Sequence, residues 1–252
     1  MPRVRAVSFD LWDTVFVDDS DEPKRRQQGL PSKRVERRDL IHRYLSRRAF
    51  VDRALVDCAY DTVDAAFRQV WHDQHFTWSV EARLRVLLAG LKRELPEDEL
   101  CELVKLHEDM ELRVRPDLVP GVAEALRTLR RRFTLVVVSD AIFTPGRALR
   151  ELLAGYGLRD LFSAFVFSDE VGCAKPALGI FRRAAELAGC RLEEIVHIGD
   201  REHNDIAGAK DAGARAVLFT AVVDRDSANT RADAVCRDFG QLPAIIDALE
   251  GC

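Results

Sequence analysis

The chain has 252 residues, a length that suffices for one α/β domain and a smaller inserted domain. Its residues are 47% hydrophobic and its net charge is −4, which excludes extensive disorder and gives no reason to expect binding to nucleic acid or to a membrane. The 6 cysteines include no closely spaced pair, and no apolar run approaches the length of a membrane span. We therefore expect a cytoplasmic protein with reduced thiols. We also expect a monomer or a homodimer.

The first predicted strand is a short apolar run that ends at Asp10. In an open parallel sheet, ligands bind in the crevice beyond the carboxyl ends of the strands. A carboxylate at that place can be a nucleophile and a ligand for a hard cation. Taken alone, Asp10 is more typical of a turn residue, and the residues downstream decide between the two interpretations.

A highly charged segment follows this strand. Residues 18–22 are acidic, and residues 24–38 are rich in lysine and arginine and contain Gly29 and Pro31. Because Pro and Gly interrupt the segment and its apolar content is low, we predict a loop. A solvated surface is the preferred interpretation of its charges, and a rim that attracts anions to the active crevice is the alternative.

From about residue 39 to residue 110 the apolar residues recur at helical spacing, and no strand pattern interrupts them. We predict an all-helical domain over residues 16–114. It is inserted into a core domain formed by residues 1–15 and 115–252.

The rest of the chain alternates helices with short apolar strands. The predicted strands cover residues 133–138, 165–167, 195–198, 216–219 and 234–235. Strands that alternate with helices predict a parallel sheet covered on both faces, so the predicted fold is a Rossmann-like α/β core with an inserted helical cap domain.

Several polar side chains fall at one edge of this predicted sheet. Asp10, Ser139 and Asp200 each follow a buried strand, and Lys175 and Asp205 lie on loops at the same edge. Two aspartates with a backbone carbonyl and waters suit Mg²⁺, and a lysine with a hydroxyl forms a receptor for a tetrahedral oxyanion. The implied reaction is phosphoryl transfer to an aspartate.

Four segments resemble the motifs of the haloacid dehalogenase-like hydrolase superfamily, in the same order and at appropriate intervals. They are Phe9–Val15, Val138–Asp140, Val171–Pro176 and Gly199–Asp205. The insertion after the first motif resembles the helical cap that is typed C1 in that superfamily. The resemblance covers the first 14 residues and residues 116 to the C-terminus.

The resemblance implies roles for the matching residues. Asp10 attacks phosphorus and, with the Trp12 backbone carbonyl and Asp200, holds Mg²⁺. Ser139 and Lys175 contact the phosphoryl oxygens and neutralise their charge. Asp205 is a water-mediated metal ligand or orients Lys175; capping the helix predicted over residues 206–212 is the alternative.

Three positions depart from the common pattern. Trp12 stands where phosphatases of the superfamily carry an aspartate that serves as general acid and base, Asp13 stands where glycine is more common, and Asp140 replaces the common asparagine. We assign Trp12 and Asp140 to substrate binding, and we expect the Asp13 side chain to point away from the crevice.

These departures leave three functions open. The first is a Mg²⁺-dependent phosphatase or phosphotransferase acting on a small phosphorylated metabolite. The second is a metal-independent 2-haloacid dehalogenase, against which Asp200 argues. The third is a catalytically weak phosphate-binding or regulatory protein.

Overall fold

A single six-stranded sheet forms the centre of the computed structural model, which describes residues 2–225 and 227–250. The strands, in chain order, are β1 (Ala6–Phe9), β2 (Thr134–Ser139), β3 (Ala164–Phe167), β4 (Ile195–Gly199), β5 (Arg215–Phe219) and β6 (Ala234–Cys236). All pairings are parallel, in the order β3-β2-β1-β4-β5-β6. Each strand after the first lies within one residue of its predicted bounds, and the predicted α/β fold is confirmed.

The helices that follow the strands in sequence cover the two faces of the sheet. They are α7 (Val122–Arg130), α8 (Gly146–Gly155), α9 (Ser168–Val171), α10 (Leu178–Ala188), α11 (Gly208–Asp211) and α12 (Leu242–Glu250). Side chains alternate between the faces along each strand, so Val7 and Phe9 pack into one core and Ala6 packs into the other. With both faces buried, the strands are mostly apolar, with few polar residues such as Ser8 and His197.

The segment between β1 and α7 is helical and has its own apolar core. Its helices are α1 (Asp21–Gln27), α2 (Lys33–Ser46), α3 (Arg53–Gln74), α4 (Val80–Gly90), α5 (Glu97–Glu108) and α6 (Met110–Arg113). Side chains such as Ile41, Val56, Leu87 and Leu103 form one buried cluster separate from the clusters of the sheet. The predicted all-helical insertion is therefore present.

Two adjacent extended segments connect this insertion to the sheet. The Val17 N–H donates to the Asp117 carbonyl at 2.9 Å, and the Val119 N–H donates to the Val15 carbonyl at 2.9 Å. The chain thus enters and leaves the insertion side by side. We propose that residues 16–114 form a cap domain on a core of residues 1–15 and 115–252.

The charged segment of residues 18–38 is not the predicted loop, because α1 and the first turns of α2 lie within it. Proline is tolerated in the first turn of a helix, and Pro23 lies in the first turn of α1. Its charges are also not all solvated. Arg25 is fully buried against Glu36 and donates to the Pro31 carbonyl at 3.0 Å. The prediction of a solvated loop was therefore wrong.

Within the described ranges, no helix combines the length and the apolar character that crossing a membrane requires. Five of the cysteines, Cys58, Cys101, Cys173, Cys190 and Cys236, have free thiols.

Candidate active site

The centre of the site is the Asp10 carboxylate at the carboxyl end of β1. The Asp10 N–H donates to the Ile198 carbonyl at 2.9 Å, which fixes the turn against β4. Asp10 Oδ1 accepts hydrogen bonds from Lys175 Nζ at 2.5 Å and from Ser139 Oγ at 3.1 Å. All three side chains are buried. The strand-end residues predicted from sequence thus converge with the loop lysine in one crevice.

Lys175 bridges two carboxylates, because its Nζ also donates to Asp205 Oδ1 at 2.6 Å. Burial acts to lower the pKa of Lys175, but the charges of Asp10 and Asp205 outweigh it and raise that pKa, so the ammonium is charged. A single ammonium faces two carboxylates. Burial raises the pKa of Asp10, whereas the attraction of Lys175 and the hydrogen bond from His197 overcome burial and lower the pKa of Asp205.

Asp205 is held by donors from three directions. Besides Lys175, His197 Nε2 lies 3.2 Å from Asp205 Oδ1, and the Arg201 N–H donates to Oδ2 at 3.0 Å. Since a carboxylate only accepts, His197 carries a hydrogen on Nε2, and its Nδ1 lies 2.9 Å from Ser8 Oγ. The Asp205 carboxylate therefore positions the Lys175 ammonium against Asp10.

The predicted alternative role of Asp205 as a helix N-cap is wrong. Residues Glu202–Ala207 form a π-helical turn that leads into α11, and Asp205 lies inside this turn. Gly199 makes room for it: a Cβ at this glycine would lie 2.5 Å from the Asp205 Cβ. The glycine before Asp200 therefore lets Asp205 pack against the end of β4.

Three carboxylates of the site could share a cation. One oxygen from each of Asp10, Asp200 and Asp205 lies within 4.8 Å of the others. Asp200 Oδ1 is buried and has no hydrogen-bond partner, as expected of an oxygen reserved for an ion. Oxygen-only donors suit Mg²⁺, so the residues fit this ion. Since both Asp205 oxygens are engaged by protein donors, Asp10 and Asp200 are the better direct ligands.

An arginine that the sequence did not point to lies beside these carboxylates. Arg225 Nη1 donates to Asp200 Oδ2, and its Nη2 donates to Asp13 Oδ2 at 2.7 Å. Asp13 Oδ1 accepts the Asp18 N–H at 3.0 Å, so both oxygens of Asp13 are engaged. Among the described residues, those that line the cavity at Asp10 do not include Asp13. Its carboxylate thus serves to hold the turn and Arg225.

Trp12 stands on the wall of the crevice. Its ring lies 5.9 Å from the ring of Phe16. It lines a cavity of about 50 Å³ at Asp10 and an adjoining cleft of about 320 Å³. Because indole has no titratable group, Trp12 cannot transfer the proton that a carboxyl group at this position would.

Asp140 also lines the small cavity, but its oxygens are engaged by the protein. Oδ1 accepts the Lys175 N–H at 2.9 Å, and Oδ2 accepts from Asn204 Nδ2 at 3.3 Å. Burial raises the pKa of Asp140 to about 6, against the attraction of Lys175. These contacts tie the loop that carries Lys175 to the end of β2, so Asp140 positions Lys175.

Comparison with known proteins agrees with this geometry. The family model of haloacid dehalogenase-like hydrolases matches residues 4–213. The chain belongs to the haloacid dehalogenase-like hydrolase family.

Two curated relatives illustrate the similarity. The chain is 36% identical over 117 residues to a phosphoserine phosphatase of Thermus thermophilus, a match that covers 40% of this chain and 47% of that protein. It is 26% identical over 221 residues to a glyceraldehyde 3-phosphate phosphatase of Pyrococcus furiosus, which covers 87% of this chain and 82% of that protein. The chain thus spans about half the length of the first of these relatives, with 47% of it aligned.

A solved structure shows the same fold. The 2-haloacid dehalogenase of Pseudomonas syringae pv. Tomato superposes with a TM-score of 0.69 and 24% identity over 98% of this chain and 99% of that one. At this identity the likeness concerns the fold alone.

Proposed function

We propose that this hydrolase is a Mg²⁺-dependent phosphatase or phosphotransferase that acts on a small phosphorylated metabolite through an aspartyl phosphate on Asp10. The observation that carries the proposal is the position of Asp10 Oδ1, held by Lys175 at 2.5 Å and by Ser139 at 3.1 Å, next to the unpartnered Oδ1 of Asp200. The relatives whose names are those of phosphatases support the same reaction class.

In this proposal an Asp10 oxygen attacks phosphorus. A P–O bond to Asp10 forms and the P–O bond to the leaving group breaks, and a water or an acceptor alcohol then takes the phosphoryl group from Asp10. Lys175 and Ser139 donate hydrogen bonds to the negative charge of the transferred group. Asp205 and Asp140 keep Lys175 in place through its Nζ and its backbone N–H.

Asp10, Asp200 and the Trp12 backbone carbonyl would hold the ion, with Asp205 as an outer ligand. Bound Mg²⁺ would supply positive charge opposite the phosphoryl oxygens and keep the Asp10 carboxylate ionised. We further propose a cytoplasmic protein that is a monomer or a homodimer, which rests on composition alone.

A substrate panel tests this function. Phosphate esters, acyl phosphates and 2-haloacids are incubated with Mg²⁺ or with a chelator, and phosphate and halide are measured. We expect phosphate release that requires Mg²⁺. Halide release in the presence of chelator would instead assign a dehalogenase, and phosphate binding without turnover would assign the binding protein.

Trp12→Asp is expected to speed the hydrolysis of alkyl phosphates. Alkoxides are poor leaving groups and need the proton of a general acid, which contributes about 10²–10⁴-fold where it is well placed. Aryl and acyl phosphates need it less, so the wild-type protein should prefer them. The measurement is kcat for 4-nitrophenyl phosphate and for an alkyl phosphate in both proteins. An unchanged ratio of the two values would show that the lack of an acid at this position does not limit the rate.

Arg225→Gln is expected to tighten Mg²⁺ binding by about tenfold, because a positive charge next to Asp200 opposes a second cation. Calorimetric titration of the protein with Mg²⁺ measures the affinity without any turnover. Arg231→Gln is the control, since Arg231 is exposed and pairs with Asp211 at 2.6 Å, away from the crevice. Equal affinities of the wild type and Arg225→Gln would show that Arg225 does not compete with the ion.

A further inference from the structure

The cleft between the helical insertion and the strand ends continues the small cavity at Asp10. The two cavities share four lining residues, Trp12, Trp71, Ile142 and Arg201. The cleft encloses about 320 Å³, against about 50 Å³ at Asp10. The rest of a molecule whose phosphoryl group lies at Asp10 therefore extends into the cleft.

Arg37 of α2 lines this cleft, and its one ion pair among the described residues is a long one. Its side chain is only 9% exposed, and its nearest carboxylate oxygen, Glu111 Oε1, lies 3.9 Å from Nη2, beyond hydrogen-bond distance. Its Nε is buried without any hydrogen-bond partner. The guanidinium stacks on the Phe143 ring, with Cζ 3.6 Å from the ring centroid, a contact that uses its face and none of its N–H groups. A buried guanidinium with an unpartnered Nε and only a long ion pair is costly unless a ligand satisfies it.

Glu111, the partner of Arg37 in this long ion pair, is engaged by other donors at shorter distances. Lys33 Nζ lies 3.1 Å from Glu111 Oε1, and Thr144 Oγ1 donates to Oε2 at 2.6 Å. Lys33 in turn contacts Asp21 Oδ1 at 2.8 Å and Asp19 Oδ1 at 3.1 Å. Lys33 thus contacts three acids and lies closer to Glu111 than Arg37 does.

Two further donors face the same space. Arg201 lines both cavities, and it forms no ion pair with any residue in the described part of the chain. The indole Nε1 of Trp71, which also lines both cavities, is buried without a hydrogen-bond partner. Arg37 Nε and Trp71 Nε1 are thus unpartnered, and with the Arg201 side chain they line the space beside the site of phosphoryl transfer.

We infer that Arg37 and Arg201 bind a second anionic group of the substrate, a carboxylate or a second phosphate. The substrates are then phosphomonoesters that carry another anion a few atoms from the transferred phosphoryl group. Planar guanidinium groups match both kinds of anion. This inference names the substrate class and rests on the proposed function.

Phosphonates of equal chain length test the inference by binding alone. We compare 3-phosphonopropionate and 1,2-ethylenediphosphonate with propylphosphonate and 2-aminoethylphosphonate by calorimetry, with Mg²⁺ in excess. At least one of the two probes with a second anionic group should bind at least about tenfold more tightly than propylphosphonate, the gain expected of one charge-assisted contact. Whichever of 3-phosphonopropionate and 1,2-ethylenediphosphonate binds more tightly identifies the second anionic group of the substrate as a carboxylate or as a phosphate. Equal affinities would overturn the inference, and so would a preference for the aminoethyl probe, which would assign the cleft to a cationic group near Asp18.

Arg37→Gln should remove this preference and leave the affinity for propylphosphonate within about twofold. Arg34→Gln is the matched control, because Arg34 lies on the same helix, is 75% exposed and does not line the cleft. Arg201→Gln should reduce the preference as well, which keeps the test valid if Arg37→Gln fails to fold. Equal loss for all probes in both Arg37→Gln and Arg201→Gln would contradict the subsite.

Turnover measurements on the same variants distinguish the proposed phosphatase function from the proposed anion subsite. For the pair 3-phosphoglycerate and glycerol 3-phosphate, Arg37→Gln should raise KM only for the carboxylate, by about tenfold, and leave kcat unchanged. If no ester is hydrolysed while the binding preference persists, the proposed phosphatase function fails and the anion subsite stands. If esters are hydrolysed at a normal rate but no binding preference for a second anionic group is found, the phosphatase function stands and the anion subsite fails.

Discussion

Asp10→Asn is expected to lower kcat by about a thousandfold or more and to leave the fold intact. The amide keeps the shape of the side chain and can still accept from Ser139 and Lys175, but it cannot attack phosphorus. Turnover of the best substrate of the panel, together with circular dichroism of the variant, measures both effects. We expect kcat to fall while the circular dichroism spectrum stays that of the wild type.

Asp13→Asn is the matched control, because Asp13 lies in the same turn, is 6% exposed as Asp10 is, and pairs with Arg225. We expect its kcat to change by less than about tenfold, since its contacts hold structure and perform no chemistry. Activity of Asp10→Asn within tenfold of the wild type would remove Asp10 as the nucleophile. A loss in Asp13→Asn as large as that in Asp10→Asn would make Asp13 the displaced acid and base.

Lys175→Met is expected to abolish turnover and to lower the free energy of unfolding by about 3–5 kcal/mol, the typical cost of breaking a buried ion pair. The side-chain volumes are similar, so no large cavity forms. The variant leaves Asp10 and Asp205 facing each other without the ammonium that lies 2.5 Å from one and 2.6 Å from the other. Urea denaturation without Mg²⁺ measures the change in stability.

Lys210→Met shows what the loss of an ordinary lysine ion pair does. Lys210 contacts Asp233 at 2.5 Å and is 29% exposed, so its removal should change stability by less than about 1 kcal/mol. If Lys175→Met destabilises the protein no more than Lys210→Met, the buried network around Lys175 does not contribute to stability as described.

The sequence predicted the residues of the site that lie at strand ends. Asp10, Ser139 and Asp200 follow apolar runs, and the parallel sheet brings such positions to one edge. Lys175 and Asp205 became recognisable through the motifs around them. The spacing of these residues in the sequence does not show that the Lys175 ammonium contacts both Asp10 and Asp205, whereas the structure does.

Other parts of the site had no signal in the sequence. His197 lies in the middle of β4 and resembles a core residue, and only the register of β1 and β4 places it opposite Ser8. Arg225 comes from the loop after β5, where no motif marks it. A lone arginine carries no such information in the sequence, whereas its contact with Asp200 in the structure does.

The charged segment after β1 shows why low apolar content was misleading. Arg25, Lys33 and Arg37 are buried because acids or an aromatic ring pack against them, and so helices form where apolar residues are few. Buried charge requires partners from distant positions, which a local pattern does not show. The same buried charges leave Arg37 available for a ligand.

In the proposed mechanism Asp10 carries the phosphoryl group during turnover. The most direct measurement is mass spectrometry of peptides after acid quenching of the protein during turnover of acetyl phosphate with Mg²⁺. We predict a phosphoryl group on the peptide that contains Asp10, absent with chelator and absent in Asp10→Asn. Steady phosphate release with no phosphoryl group on that peptide, or with one on another residue, would contradict the account.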